Sequence, residues 1–119
     1  MAKYDLKQIT FIATTTATNF GITTGPEGTP PNMNRYVVYA NYYNPAAAST
    51  IITLWERIAT TDRRMDVLGL TQYTERRRPE GGNPDAENPV YVFRASSFIR
   101  AQTSGGNILV TMQVYDQPG

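Results

Sequence analysis

Three groups of side chains in this 119-residue chain have the types and spacing to do chemistry. The first is basic. Arg76, Arg77 and Arg78 run together, with Tyr73 just before them and Arg63 and Arg64 upstream, the kind of cluster that grips phosphates by displacing counterions. Glu80, Asp85 and Glu87 follow closely and cancel that charge, which favours a solvated loop or a salt-bridged protein contact over nucleic acid. The second group is Asn83, Asp85, Glu87 and Asn88. These are oxygen ligands of the type calcium takes, but without the ordered spacing and central glycine of a calcium loop, so they read as a polar turn. The third is a carboxylate pair for glycoside hydrolysis, with Glu56 set against Asp62, Asp66 or Glu75. Ten acidic residues along a chain always offer such pairs, and no pocket signature accompanies these.

Composition narrows the chemistry further. Histidine and cysteine are both absent, which removes the commonest general base, the commonest zinc ligand and the thiolate nucleophile together. A net charge of +1 with 18% charged residues gives no global attraction to nucleic acid or acidic membranes. The expectation is therefore no catalysis, no cofactor, no metal, no nucleic acid and no membrane. Met1 to Lys7 contains no apolar run, so no export signal is expected, and no segment approaches the length of a bilayer span.

The elements that must position these groups read as strands. Sixteen threonines and eight tyrosines favour pleated, half-buried surfaces, and a chain of this length can bury a single core. Lys7 to Thr18 alternates Ile9, Phe11 and Ala13 against Gln8, Thr10, Ile12 and Thr14, as an edge strand or an arm. Arg35 to Tyr43 places Tyr36, Val38, Ala40 and Tyr42 on one face and Val37, Tyr39 and Tyr43 on the other, as a central strand. Ser49 to Thr60 is a strand whose tryptophan, Trp55, is expected in the core. Thr60 to Arg64 reads as a turn, and Met65 to Thr74 as a further strand with a helix as its rival. Val90 to Ala95 follows. Ser96 to Asp116 then reads as a β-hairpin turning at Gly105-Gly106-Asn107, with Val110, Met112 and Val114 buried. About seven strands result, an antiparallel β-sandwich of jelly-roll or immunoglobulin-like order in one domain, with an N-terminal arm at residues 1–6. Two long Pro/Gly-rich loops interrupt it, Gly21 to Asn34 and Glu75 to Pro89.

Thr53-Leu54-Trp55-Glu56, within Ile51 to Glu56, and the stretch from Val90 to Asp116 resemble small all-β structural proteins of tailed bacteriophages. Those proteins carry a strand of the form Ile-x-Leu-Trp/Tyr-Asp/Glu and a closing Gly-Gly or Ser-Gly turn before alternating Val, Thr and Tyr. The proline-rich loop at Gly25 to Pro31 and the arginine-rich loop at Arg76 to Arg78 lie outside that pattern. The resemblance implies a capsid decoration (cement) protein or another virion protein, located in the virion.

Read from the residues alone, a domain with much contact surface and little chemistry is a binding domain. The expected function is structural: attachment to capsid or other virion subunits, with self-association into a homo-oligomer. Phe20, Pro26, Pro30, Pro31 and Met33 around the first loop, and Arg76, Arg77 and Arg78 in the second, are the expected interface. The alternative is a carbohydrate-binding module in which Tyr39, Tyr43 and Trp55 stack on sugar rings.

Overall fold

The computed structural model describes residues 4–20, 29 and 32–118. Among them the chain forms nine strands and no helix: β1 (Lys7–Ala13), β2 (Thr18–Phe20), β3 (Asn34–Tyr43), β4 (Thr50–Ile58), β5 (Thr61–Leu70), β6 (Glu75–Arg78), β7 (Tyr91–Phe93), β8 (Phe98–Thr103) and β9 (Ile108–Gln117). One sheet has the order β1-β9-β3-β6, with β7 pairing with β3 next to β6, and the other has the order β2-β8-β4-β5. All pairs are antiparallel. Because β6 and β7 lie end to end along one side of β3, they act as one interrupted strand. Counted that way the order is that of an eight-stranded jelly roll, in which every pair of successive strands except β4 and β5 crosses between two packed sheets. This settles the strand order in favour of the jelly roll over the immunoglobulin-like alternative.

The core follows from the period-two alternation. Ile9, Phe11, Ala13, Val37, Ala40, Tyr42, Phe93, Val110, Met112 and Val114 point inward from the first sheet, and Ile52, Leu54, Leu68, Leu70, Ile99 and Ala101 from the second. The expected burial of Val110, Met112 and Val114 holds.

Nine strands rather than seven appear because two short ones carry no period of their own. β2 separates from β1 where Thr14, Thr16 and Thr18 turn the chain through side-chain to backbone hydrogen bonds. The Thr103 N–H then bonds the Thr14 carbonyl as the chain passes from one sheet to the other. β6 lies within the expected loop at Glu75 to Pro89, where four charged residues show no apolar alternation. It pairs with Ala40 to Tyr43 of β3, so only 79–90 is a connection.

The expected hairpin at Ser96 to Asp116 is not a hairpin. β8 pairs with β2 and β4, whereas β9 pairs with β1 and β3. The glycine turn is an arch joining the two sheets, held by Thr103 Oγ1 donating to the Gly106 carbonyl at 2.6 Å and by the Gly105 N–H donating to Thr50 Oγ1. Alternation with period two is the same in both arrangements, so it could not separate them. The expected turn at Thr60 to Arg64 is likewise displaced. The β4–β5 reversal falls at Ala59 and Thr60, with Ala59 at φ 52°, and Thr61 to Arg64 belong to β5.

A bulge reassigns the tyrosines of β3. The pairing with β9 shifts between Val37 and Tyr39, so Val37 and Val38 are both buried, and Tyr36 leaves the face of Tyr42 to join Tyr39 and Tyr43 outside. Trp55 also departs from expectation. The inward positions of β4 are Ile52, Leu54 and Glu56, so Trp55 lies half-buried on the outer face of its sheet rather than in the core.

Candidate functional site

The two open sides of the sandwich are closed by different chemistry. Where β5 of one sheet meets β6 and β7 of the other, the seam is ionic. Glu56, at the inward end of β4, has no exposed side-chain surface. It accepts from the Arg94 N–H at 2.6 Å, Arg94 Nη2 at 2.7 Å and Arg63 Nε at 3.0 Å. Burial alone would raise its pKa, but the Arg94 side-chain and backbone hydrogen bonds and the nearby Arg63 charge outweigh that and hold it below the ordinary carboxylate value.

Asp66 on β5 sits in the same seam. It accepts from Arg78 Nε at 2.9 Å and from the Tyr91 hydroxyl, and Tyr91 in turn meets Tyr42 at 2.8 Å. Burial opposes ionisation of Asp66 too, yet Arg78 and Tyr91 together keep its pKa lowered. Burial raises the pKa of Tyr42 against the opposing hydrogen bond from Tyr91, with the Asp66 charge adding to the rise, and burial together with Tyr42 and Asp66 raises that of Tyr91. Arg35, almost wholly buried, pairs with Asp116 through Nε and Nη2 at 2.9 and 3.0 Å.

The structure places each carboxyl of the candidate pairs. Asp62 lies on the outer face of β5, where Arg57 Nη1 donates to both its oxygens, and Glu75 lies on the other sheet. Neither comes together with Glu56. Asp66 shares the inner face with Glu56, but each is held by its own arginines, leaving no free pair of carboxyls facing a cleft. Asp85, from the expected polar turn, accepts from the Glu87 N–H and from Asn88, closing that turn on itself.

The arginine triplet is divided by its strand. Arg76 and Arg78 point to one side, where both meet Glu80 and Arg78 also meets Asp66. Arg77 points to the other side, toward an exposed 230 Å³ cavity lined by Tyr39, Asn41, Glu75 and Arg76. Of the three expected interface arginines, only Arg77 therefore turns away from the seam, whereas Arg76 and Arg78 hold it. Of the residues expected at the first loop, Met33 is exposed. Phe20 is half-buried and stacked on Phe11 with centroids 4.2 Å apart. Pro26, Pro30 and Pro31 lie outside the described residues. Tyr4, from the expected arm, lies against Tyr115, which stacks on Tyr36.

The opposite side of the sandwich is apolar, built on the strand that the sequence offered as an edge strand or an arm, though sequence reasoning missed the apolar patch beside it. β1 is an edge strand that pairs, among the described residues, only with β9. Beside the Phe11–Phe20 stack, Ile12 and Leu109 are exposed, and with Thr10 they line a 310 Å³ cavity. The signal was present as Ile12, an apolar residue on the polar side of an alternating strand.

The three aromatics proposed for sugar stacking are not on one surface, since Tyr39 and Tyr43 project from the β1-β9-β3-β6 sheet and Trp55 from the other. Comparison of the chain with protein-family models, curated proteins and solved structures found no match.

Proposed function

We propose that the chain is a non-catalytic structural subunit that binds neighbouring protein subunits, and further copies of itself, through the β1 edge. The virion is its setting and capsid decoration its role. The β1 edge carries this reading. An edge strand presents unpaired N–H and C=O groups, and proteins blunt such edges with charge, proline or short length. β2 is three residues long, β5 carries Asp62, Arg63, Arg64 and Asp66, and β6 ends at Pro79. β1 has none of these protections beyond Lys7 at its first position, and it is flanked by exposed Leu6, Ile12 and Leu109. Jelly rolls recur in viral capsid domains, which is support by analogy alone.

Strand addition is the contact such an edge favours. For a second copy, a twofold axis at Thr10 sets Ile9 opposite Phe11 and Gln8 opposite Ile12, with no like charges directly opposed. The pairing of the catalytic-type side chains within the seam is consistent with a subunit whose polar groups serve stability. Light scattering of the purified protein across a concentration range tests the reading. Wild type is expected to associate, and Ile12→Lys, an exposed substitution that places charge on the edge, is expected to remain monomeric with an unchanged melting temperature. A wild-type protein that is monomeric at all concentrations overturns self-association through β1.

A further inference from the structure

The outer face of the β2-β8-β4-β5 sheet carries an ordered array that the assembly reading does not use. Residues directly opposite one another in antiparallel strands share a face. The register therefore lays out rows across β8, β4 and β5: Phe98, Arg57 and Asp62; then Arg100, Trp55 and Arg64; then Gln102, Thr53 and Val67. Trp55 thus stands between two arginines. Arg57 is neutralised by Asp62, and Arg100 donates to Asn19 at 2.8 Å with Asp62 farther off at 3.8 Å. Arg64 is exposed, and it is in no ion pair among the described residues. Three guanidiniums against one carboxylate leave this face positive.

The next row opens into a groove of 420 Å³ lined by Thr15, Ile51, Thr53, Gln102, Thr103 and Ser104. A second cavity of 430 Å³ lies on the other side of Ile51 and runs along Gly69, where an added Cβ would meet nothing within 4 Å. Both are in the size range of ligand clefts. An indole in line with hydroxyls and an amide fits a sugar ring, which offers C–H groups to the aromatic face and hydroxyls to the polar side chains. The flanking arginines add a preference for carboxylate, which a guanidinium binds through two parallel hydrogen bonds.

We propose that this face binds an acidic polysaccharide, a chain bearing uronate carboxylates, with Trp55 stacked on one ring, Arg64 and Arg100 on the carboxylates, and Thr53 and Gln102 on the hydroxyls. Single-stranded nucleic acid fits less well, because it calls for a continuous cationic track along its stacking platforms, whereas here Phe98 and Trp55 are followed by a neutral, hydroxyl-lined groove.

Trp55 is the sole tryptophan in the chain, so its fluorescence reports on this face alone. Titration with hexagalacturonate is expected to give a saturable change in emission. Arg64→Ala is expected to weaken binding about tenfold with folding intact, since that side chain is exposed. A neutral galactose oligomer of equal length is expected to bind at least as weakly as that variant. Tyr39→Ala on the opposite sheet and Ile12→Lys on the β1 edge are expected to leave affinity unchanged, which separates this site from the assembly reading. Absence of any emission change at millimolar hexamer overturns the proposal, as does an Arg64→Ala affinity equal to wild type. Tighter binding of a deoxythymidine decamer than of hexagalacturonate overturns it in favour of nucleic acid.

Discussion

Replacing Glu56 with glutamine isolates the ionic seam. The wild-type carboxylate accepts from the Arg94 N–H, from Arg94 Nε and Nη2, and from Arg63 Nε, all between 2.6 and 3.0 Å. Glutamine keeps one acceptor oxygen, loses the charge and turns an NH2 toward those donors. Each charge-assisted bond contributes about 1.5 to 3 kcal/mol. The Arg63 and Arg94 side chains are 52% and 56% exposed, so water replaces much of what they lose, and the buried carboxylate no longer has to be desolvated. The net cost at pH 7 is about 2 kcal/mol, a fall in melting temperature of roughly 8 °C for a domain of this size.

The sign of the pH dependence follows from the lowered pKa of Glu56. A carboxyl with a depressed folded-state pKa contributes stability above its unfolded pKa, about 4.3, and loses it as pH falls through the folded value. The gap between wild type and Glu56→Gln should therefore be full at pH 7 and shrink steadily below about pH 4. Urea denaturation followed by far-UV circular dichroism at several pH values measures it. Equal stabilities at pH 7, or a gap that persists undiminished into acid, would refute the ionic account of the seam.

Other substitutions follow from the same geometry. Met112 has no exposed surface, so Met112→Asp buries an unpaired carboxylate and should abolish the folded circular dichroism signal. Arg77 and Arg78 are neighbours with different duties: Arg78→Ala strips Asp66 of its arginine and should cost about 2 kcal/mol, whereas Arg77→Ala should change thermal stability by no more than about 0.5 kcal/mol. The raised pKa values of Tyr42 and Tyr91 mean stability fully present below the unfolded tyrosine pKa, about 10, and lost as pH rises above it. Melting temperatures between pH 8 and pH 11 should show that loss, and Tyr91→Phe should lessen it.

How far the fold was legible depended on whether a residue's role is local. The alternation of Ile108 to Val114 identifies a strand and its buried side because one pleat encodes both. It cannot say which strand lies alongside, so an arch between sheets and a hairpin within one look alike until Ile99 and Met112 are seen on opposite sides of the core. β6 was hidden because Arg76, Arg77 and Arg78 carry no apolar period. Their strand character comes from β3 across the sheet and from Asp66 and Glu80, which receive the two inward arginines. The bulge at Val38 flipped Tyr36 for a similar reason: one extra residue inverts every alternation beyond it. In the sequence Glu56 stood out only as half of a possible catalytic carboxylate pair, because its partners, Arg63 and Arg94, come from two other segments of the chain.

Backbone amide hydrogen exchange along Lys7 to Ala13, read residue by residue at low and high protein concentration, tests the assembly claim most directly. In an edge strand only alternate amides bond the neighbouring strand β9. The account predicts that the other, outward amides exchange rapidly in dilute protein and become protected as concentration rises, and that Ile12→Lys removes this protection while the amides bonded to β9 keep theirs. Outward amides that stay in fast exchange in a sample shown to be oligomeric would contradict it.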